Sequence, residues 1–474
     1  MIPIKNYVAI INWGIMSFSG PKENCGVVAV SRQSDECADW IIGTEFELRH
    51  RGHESWGMST YSDKIETKKY PGIVPEEDIP DENKTSGRFG IGHVRYGTAG
   101  APGIAGAQPI EIDAPYGKFA IAQNGTIWNA NEIKKSLAEK DIEYKTDTDT
   151  ELIGHLIAEG DDVIDGYKKA SKAMKGAWCL TILDEHGVYA MRDPHGIRPL
   201  TLMKKDDDYI IASEPGIAGV LGLELLRDIS PGEIIYIDTK GKIHGDSIEA
   251  DKPAYCAFCR AYFARPDSLI DTTVVGNVRI KLGANIAEID DTPSDFIQGV
   301  PDSGCLYAQG YHSKTGNPMG TVILRKRHYR TFITPGDRLS KVLSKYILLP
   351  FRNKQSGKFF EDTIVRGNTL KGLVEWLRRA AKLKEVHIRV GTPPVRKPCP
   401  LGVDMQTKTE FAIENCGDVE GVREHIGADS LLYQTEDGFF DGLGISGIPP
   451  EYWCTACWGI GNYPDDIPEN FERF

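Results

Sequence analysis

The sequence predicts an α/β protein assembled from more than one domain, and three observations carry that expectation. The chain has 474 residues, enough for two to four domains that each bury a core. Late in the chain, GKFFEDTIVRGNTLKGLVEWLRRAAKLK (357–384) runs from an apolar pair through two acids into a loop of small and hydroxyl residues. Leu370, Leu373, Val374 and Leu377 then recur at i, i+3, i+4, i+7, with Ala381 one turn on, as the buried face of a helix does. A strand therefore ends there and a helix begins. Early in the chain, CGVVAVSRQ from Cys25 alternates small and apolar residues as a buried strand does. GAWCLTILDEHGVYAMRDPHGIRPLTL (176–202) sets two apolar runs around the turn DEHG, a hairpin.

Composition narrows the class. Hydrophobic residues at 41% and charged residues at 26% are ordinary for a soluble globular chain. A net charge of −13 argues against a broad nucleic-acid surface. Arg325, Lys326, Arg327, His328 and Arg330 cluster as either an anion pocket or a solvated face. No run approaches the ~20 apolar residues of a membrane span. YVAIINWGIM after Lys5 mimics a weak signal peptide, but Asn12 interrupts it and Lys22, Glu23 and Asn24 precede Cys25 without a small-residue cleavage pattern. The expectation is a cytoplasmic protein with no membrane and no nucleic-acid partner. Its ten cysteines are then thiols available for metal or catalysis, not disulfides.

In the first half, a lone Cys on a strand ordinarily packs as a small core residue. Four later segments change its meaning: HRGHESWGM (50–58), GIGHVRYGTAG (90–100), AIAQNGTIWN (120–129) and DTDTELIGHLI (147–157). In order and spacing they resemble the glutaminase domain of the N-terminal-nucleophile amidotransferases, which implies an αββα fold. The resemblance implies that Cys25 becomes the first residue, by removal of a leader over residues 1–24, and acts as the nucleophile. It also implies that the Asn124 side chain and the Gly125 N–H form an oxyanion hole. Arg95 would hold the α-carboxylate of glutamine and Asp149 its α-ammonium.

The physical logic is specific. A thiol with a pKa near 8.5 is only a few per cent thiolate at neutral pH, whereas an α-amine at about 7.7–8.0 is suited to be its base. The Arg fork matches a carboxylate, and one oxyanion donor is worth roughly 100- to 1,000-fold in rate. Taken singly, Asn124-Gly125 is also a hairpin-turn signal, Arg95 a surface ion pair, and Asp149 a cap for the helix ELIGHLI. Gly97 stands where the family usually has Ser, so a hydroxyl beside the substrate is missing. RDPHGIRPL (192–200) and ASEPG (212–216) read as loops that pack this core and face the next domain. PGE at Pro231 reads as the turn that closes it.

A boundary is expected near Asp251-Lys252-Pro253, dividing 25–252 from 253–474. Beyond it, CAFCRAYFARPDS (256–268) opens the second domain, and DFIQGVPDSG (295–304) is an apolar strand ending in a tight turn. At EDTIVRGNT, free N–H groups of a helix N-terminus can bind phosphate, and Gly lets the backbone come close. Glu361 and Asp362 can read sugar hydroxyls or hold a hard cation. The string resembles the phosphoribosyltransferase signature, and IVRG in particular resembles amidophosphoribosyltransferases.

That resemblance implies a Rossmann-like type I phosphoribosyltransferase domain. Glu361, Asp362, Thr363, Arg366, Gly367, Asn368 and Thr369 would bind phosphoribosyl pyrophosphate, with Ser303, Glu361 and Asp362 at Mg²⁺. Val-Pro-Asp-Ser-Gly (300–304) would be the pyrophosphate loop and YRTFITPGDR (329–338) the loop that folds over substrate. RNKQSGK replaces the family's apolar run before the acids, so a short strand is expected there. DVEGVREHIGADSLLYQT (418–435) has helical spacing and then a strand-like end.

Two CxxC pairs, Cys256/Cys259 and Cys454/Cys457, read by themselves as a Cys₄ zinc site. The family resemblance instead implies a [4Fe–4S] cluster on Cys256, Cys399, Cys454 and Cys457. The whole pattern implies an amidophosphoribosyltransferase: glutamine, phosphoribosyl pyrophosphate and water giving 5-phosphoribosylamine, glutamate and pyrophosphate at the entry to purine synthesis. A homo-oligomer, dimer or tetramer, inhibited by purine nucleotides comes with it. The alternatives are another amidotransferase, whose acceptor domain would lack EDTIVRGNT, and a non-catalytic paralogue that senses glutamine or nucleotides.

Overall fold

The computed structural model describes residues 25–34, 36–77, 79–97, 103–146, 148–326, 346–349, 355–405, 407–464 and 467. The leader over 1–24, the closing loop over 329–338, and Arg327, His328 and Arg330 of the basic cluster lie outside the described residues.

Two sheets face each other in the first half. One has seven strands in the order Glu224–Asp228, Thr201–Lys205, Asp208–Ala212, Gly26–Ser31, Phe89–Arg95, Ser55–Tyr61, Ile65–Pro71. The other has six, in the order Ile243–Ser247, Glu233–Asp238, Gly187–Arg192, Gly176–Asp184, Gly117–Ile127, Ile110–Ala114. All their pairings are antiparallel.

Period-2 alternation sorts the layers. Val27 and Ala29 meet Ala120, Ala122, Leu183 and Ile235 between the sheets. Val28 and Val30 point the other way, onto Cys37 and Ile41 of the helix Cys37–Glu47. On the far face of the second sheet, Phe119, Ile121 and Trp178 pack against Leu152, Ile153 and Tyr167 of the helices Asp149–Ile157 and Val163–Ala173. The result is the αββα order of layers. A strand buried on both faces must be apolar on both, which is why GVVAV carries no polar residue.

The turn at Pro231 does not close this half. The hairpin Glu233–Asp238/Ile243–Ser247 follows it and completes the six-stranded sheet. Downstream, Tyr255–Cys256 pairs in parallel with Trp453–Cys454 of the tail.

The second half is built on a parallel sheet ordered Phe296–Gly299, Ser356–Glu361, Glu385–Val390, Ser430–Tyr433. Phe296, Ile297, Phe359, Leu373, Leu377 and Ile388 share its core. The helices Val275–Ile286 and Cys305–Thr315 pack backbone to backbone. A Cβ at Gly283 would lie 2.0 Å from the Tyr307 carbonyl oxygen, and one at Gly310 would lie 1.8 Å from that of Ile280.

The strand before the acids is not short: it spans Ser356–Glu361. Lys358 concealed it. This lysine is fully buried, 2.7 Å from Asp290, and donates to the Thr292 carbonyl at 2.8 Å and the Tyr311 hydroxyl at 2.5 Å. Arg389 on the next strand grips the same Asp290 carboxylate at 2.6 and 2.7 Å. A charge neutralised inside a core still reads as polar in the sequence.

Glu214 joins the two halves. Its buried carboxylate accepts from His50 Nε2 at 2.9 Å and Arg51 Nε at 2.6 Å on one side. On the other it accepts from the Arg265 N–H and the Ser268 hydroxyl, both at 2.8 Å. Burial by itself would raise this carboxyl, but Arg51, His50 and the Arg265 amide hold it well below the usual carboxylate range.

Glu214→Gln keeps the shape and removes the charge that Arg51 faces. Breaking a buried pair costs about 3–5 kcal/mol, so the variant is expected to melt at a markedly lower temperature at pH 7. The wild-type advantage is present above the unfolded carboxyl's pKa and is lost as pH falls through the depressed folded value. Thermal unfolding of the two proteins at pH 7 checks this, and equal melting temperatures would contradict it.

Candidate functional site

A cavity in the first half is lined by Cys25, Arg95, Tyr96, Gln123, Gly125 and Asp149, together with Gln108 and three threonines. Four separate segments thus bring four of the predicted residues to one chamber. Cys25 stands just before the strand Gly26–Ser31, with φ 61° and its thiol 3.9 Å from the Tyr96 carbonyl oxygen. Burial pushes the thiol up to about 11, and the nearby Arg95 cation offsets this only in part.

Arg95 ends the strand Phe89–Arg95 and is buried, not a surface ion pair. Its Nη1 lies 3.4 Å from Glu54 Oε1 and 3.4 Å from the Gly103 carbonyl oxygen. Gly97 has a local reason: a Cβ there would fall 1.6 Å from Glu54 Oε2, so the Glu54 carboxylate fills the space a serine side chain would need.

Asp149 is not the helix cap. Thr148 is, accepting from the Glu151 N–H, and this leaves the Asp149 carboxylate for the chamber. Asp149 Oδ2 accepts from Gln123 Nε2 at 3.4 Å and the Ile127 N–H at 3.3 Å.

Asn124 and Gly125 form no hairpin turn. They sit inside the strand Gly117–Ile127, opposite Cys179 and Trp178. Gly125 has φ 137°, and a Cβ on it would meet the Ala177 carbonyl oxygen at 2.1 Å, so glycine is required there. Asn124 is fully buried, with its amide 3.3 Å from the Ser213 hydroxyl. A thiol, a cation, a carboxylate and backbone or amide donors around one chamber can grip an amino-acid zwitterion and attack a side-chain carbonyl.

In the second half the acid pair closes the strand Ser356–Glu361, and the turn after Phe296–Gly299 lies beside it, with the Val300 N–H donating to the Phe360 carbonyl at 2.8 Å. Asp362 is buried. Desolvation raises its carboxyl to about 6, against the pull of the Ser303 hydroxyl and the Arg279 cation. Ser303 and Asp362 are therefore brought together as expected. The Thr363 hydroxyl is buried without a hydrogen-bond partner. Gly367, at φ 70°, precedes the helix Asn368–Ala380. The Arg366 guanidinium pairs with Glu410, and Arg325 with Asp302 at 2.5 Å.

Sequence reasoning passed over Arg279 and Tyr262, which both face Asp362. Arg279 Nη2 donates to the Ala264 carbonyl at 2.7 Å and its Nε to that of Arg260 at 3.0 Å. An Arg among the mostly apolar and small residues of the helix Val275–Ile286 was the available signal.

The cysteines also converge. Burial pushes the Cys454 thiol up to about 12, with Cys399 and Cys259 adding to it. Burial followed by Cys399 and Cys454 raises Cys457. Cys256 shares a backbone register with Cys454, and Arg198 Nη1 donates to Cys259 Sγ at 3.7 Å. Among the described residues, no three His, Cys, Asp or Glu side chains are grouped to hold one metal ion.

A family model described as a glutamine amidotransferase domain matches residues 101–217. The chain is 34% identical to the amidophosphoribosyltransferase of Methanothermobacter thermautotrophicus, over 96% of this chain and 97% of that one. It is 35% identical to the amidophosphoribosyltransferase of Synechococcus elongatus, over 100% and 98%. Among solved structures it resembles the glutamine phosphoribosylpyrophosphate amidotransferase of B. subtilis complexed with ADP and GMP. The TM-score is 0.86 at 31% identity, covering 94% of this chain and 99% of that one.

Asp362→Asn is expected to stabilise the ligand-free protein at pH 7 by about 1–3 kcal/mol. The folded carboxyl titrates above its unfolded value, so its contribution is full below the unfolded pKa and is lost as pH rises through about 6. Unfolding curves at pH 7 and pH 4 test this: the variant's advantage should shrink at the lower pH.

Proposed function

The chain belongs to the amidophosphoribosyltransferase family, and from that premise we propose which of its residues carry the reaction. Glutamine, phosphoribosyl pyrophosphate and water give 5-phosphoribosylamine, glutamate and pyrophosphate, the first step of purine synthesis. The relatives match over nearly the whole chain under one enzyme name, which leaves the sensor reading without support.

One observation carries the assignment of roles: Cys25, Arg95, Gly125 and Asp149, far apart in sequence, line one chamber. Arg95 holds the α-carboxylate of glutamine and Asp149 its α-ammonium. The Cys25 sulfur attacks the side-chain carbonyl carbon, and the Asn124 amide and Gly125 N–H take the oxyanion. Ammonia leaves, and water hydrolyses the thioester to glutamate. A thiol held near 11 is almost wholly protonated at neutral pH. The chamber's described lining holds no histidine, and its one carboxylate already accepts two hydrogen bonds. The Cys25 α-amine is then the base, which requires a cut between Asn24 and Cys25.

At the acid-pair loop of the second half, Glu361 and Asp362 hold the ribose hydroxyls, and Thr363, Arg366, Gly367, Asn368 and Thr369 cradle the 5-phosphate. The 300–304 loop faces the pyrophosphate. Neutral ammonia attacks C1 of the ribose as pyrophosphate leaves. The Asp362 carboxylate beside the Ser303 hydroxyl, and the unpartnered Thr363 hydroxyl nearby, fit a cation-bearing, oxygen-rich ligand. Ser303, Glu361 and Asp362 would hold Mg²⁺, which would neutralise the leaving charge.

A [4Fe–4S] group on Cys256, Cys399, Cys454 and Cys457 would cross-link the tail to the transferase core; the mutual influence of Cys399, Cys454 and Cys457 and the pairing of Cys256 with Cys454 in backbone register support this reading. We further read the protein as a cytoplasmic homo-oligomer, dimer or tetramer, inhibited by purine nucleotides. Among the described residues no helix is long and apolar enough to cross a membrane.

Two measurements test these roles. Cys25→Ala should abolish synthesis of 5-phosphoribosylamine from glutamine and keep synthesis from ammonium salts, and intact mass of the active protein should begin at Cys25. An active protein beginning at Met1 would overturn the nucleophile. Separately, Cys399→Ser should lose the brown chromophore and Cys259→Ser should keep it. The reverse pattern would restore the two-CxxC cage.

A further inference from the structure

The segment 212–216, which reads in sequence as mere packing, touches both the glutaminase chamber and the domain junction. Ser213 is fully buried and follows the strand Asp208–Ala212. Its backbone N–H donates to the Val27 carbonyl at 3.1 Å, and its hydroxyl oxygen accepts from the Val27 N–H at 3.0 Å. That pins it two residues from the Cys25 nucleophile. The same hydroxyl oxygen also accepts from Asn124 Nδ2, at 3.3 Å. The next residue, Glu214, is the carboxylate gripped by His50 and Arg51 from one half and by Arg265 and Ser268 from the other.

We propose that Ser213 is a positioning residue for the oxyanion hole: it fixes which way the Asn124 amide faces, and Glu214 holds it in place. This rests on the reading of Asn124 as an oxyanion donor. The chemistry of the two side chains argues for it. The Ser213 oxygen has two acceptor sites, and the Val27 N–H and Asn124 Nδ2 fill them. One Nδ2 hydrogen is thereby held by Ser213, and the other is left for a further acceptor. The two amide orientations differ only in which atom is N and which is O. Asn124 Oδ1 has no hydrogen-bond partner among the described residues, so the hold on the orientation comes from Ser213. An acceptor placed there keeps Nδ2, the donor that an oxyanion needs, in the orientation the structure shows.

The test compares Ser213→Ala, Asn124→Ala and the double variant in mature full-length enzyme, with glutamine and with ammonium salts as nitrogen source. Ser213→Ala should lower kcat for glutamine roughly 10- to 100-fold, less than or equal to the loss of a whole oxyanion donor. KM for glutamine and ammonia-dependent synthesis should stay within about twofold. The double variant should be no slower than Asn124→Ala, because residues acting as one unit do not add. A wild-type kcat in Ser213→Ala, an effect on KM alone, equal losses from both nitrogen sources, or multiplicative losses in the double variant would each overturn the proposal. If Asn124→Ala itself keeps full kcat with glutamine, the oxyanion assignment falls and this inference falls with it. If only Ser213→Ala is silent, the assignment stands and the positioning role does not.

Discussion

Glu214 accepts hydrogen bonds from four groups drawn from two halves of the chain, and water reaches none of that carboxylate. A desolvated charge of this kind tolerates no vacancy among its donors, so the halves must dock in one register. Everything else is measured from there. One residue earlier lies Ser213 against Asn124 and the Val27 backbone. Across the junction lies the 260–268 segment, whose carbonyls receive Arg279.

Arg279 extends the same logic to the acceptor site. It is buried, and desolvation weakens its hold on its proton while Tyr307, Asp362 and Glu214 restore it. Its charge is therefore felt by Asp362 at the strand end and by Glu214 at the junction. The acceptor acids sit at the end of a strand because parallel strands open there into loops, where backbone N–H groups are free for a ligand. The glutaminase residues instead come from the middle and ends of antiparallel strands, Asn124 and Gly125 among them. Two kinds of sheet present their chemistry in two different ways, and one carboxylate aligns them.

Burial works in both chambers, with opposite consequences. It raises the Cys25 thiol, so a local base is needed at the moment of attack. It also raises the Asp362 carboxyl, so the charged form is held at some cost to stability. In both places the fold gives up stability to keep a group poised, and the charged networks at Glu214 and Asp290 hold the surrounding structure in place.

The sequence by itself marked Gly26–Ser31 as a buried strand, through its small and apolar residues, and the strand–loop–helix at the acid pair, through the Leu370–Leu377 face, while the αββα layers followed from the family its motifs resemble. It also singled out Cys25, Arg95, Gly125 and Asp149, which line one chamber, because each lies in a contiguous motif. Only the tertiary structure decided that Lys358 lies inside a strand, that Thr148 and not Asp149 caps its helix, that Asn124-Gly125 is no turn, and that Ser213 and Glu214 are more than packing. The reason is the same in each case. A polar residue's role depends on the partner that neutralises or orients it, and Asp290, Asn124 and Arg265 stand 68, 89 and 51 residues along the chain from Lys358, Ser213 and Glu214, the groups they meet. Periodicity in a local window records which faces are apolar; it carries no record of a charge met across the fold.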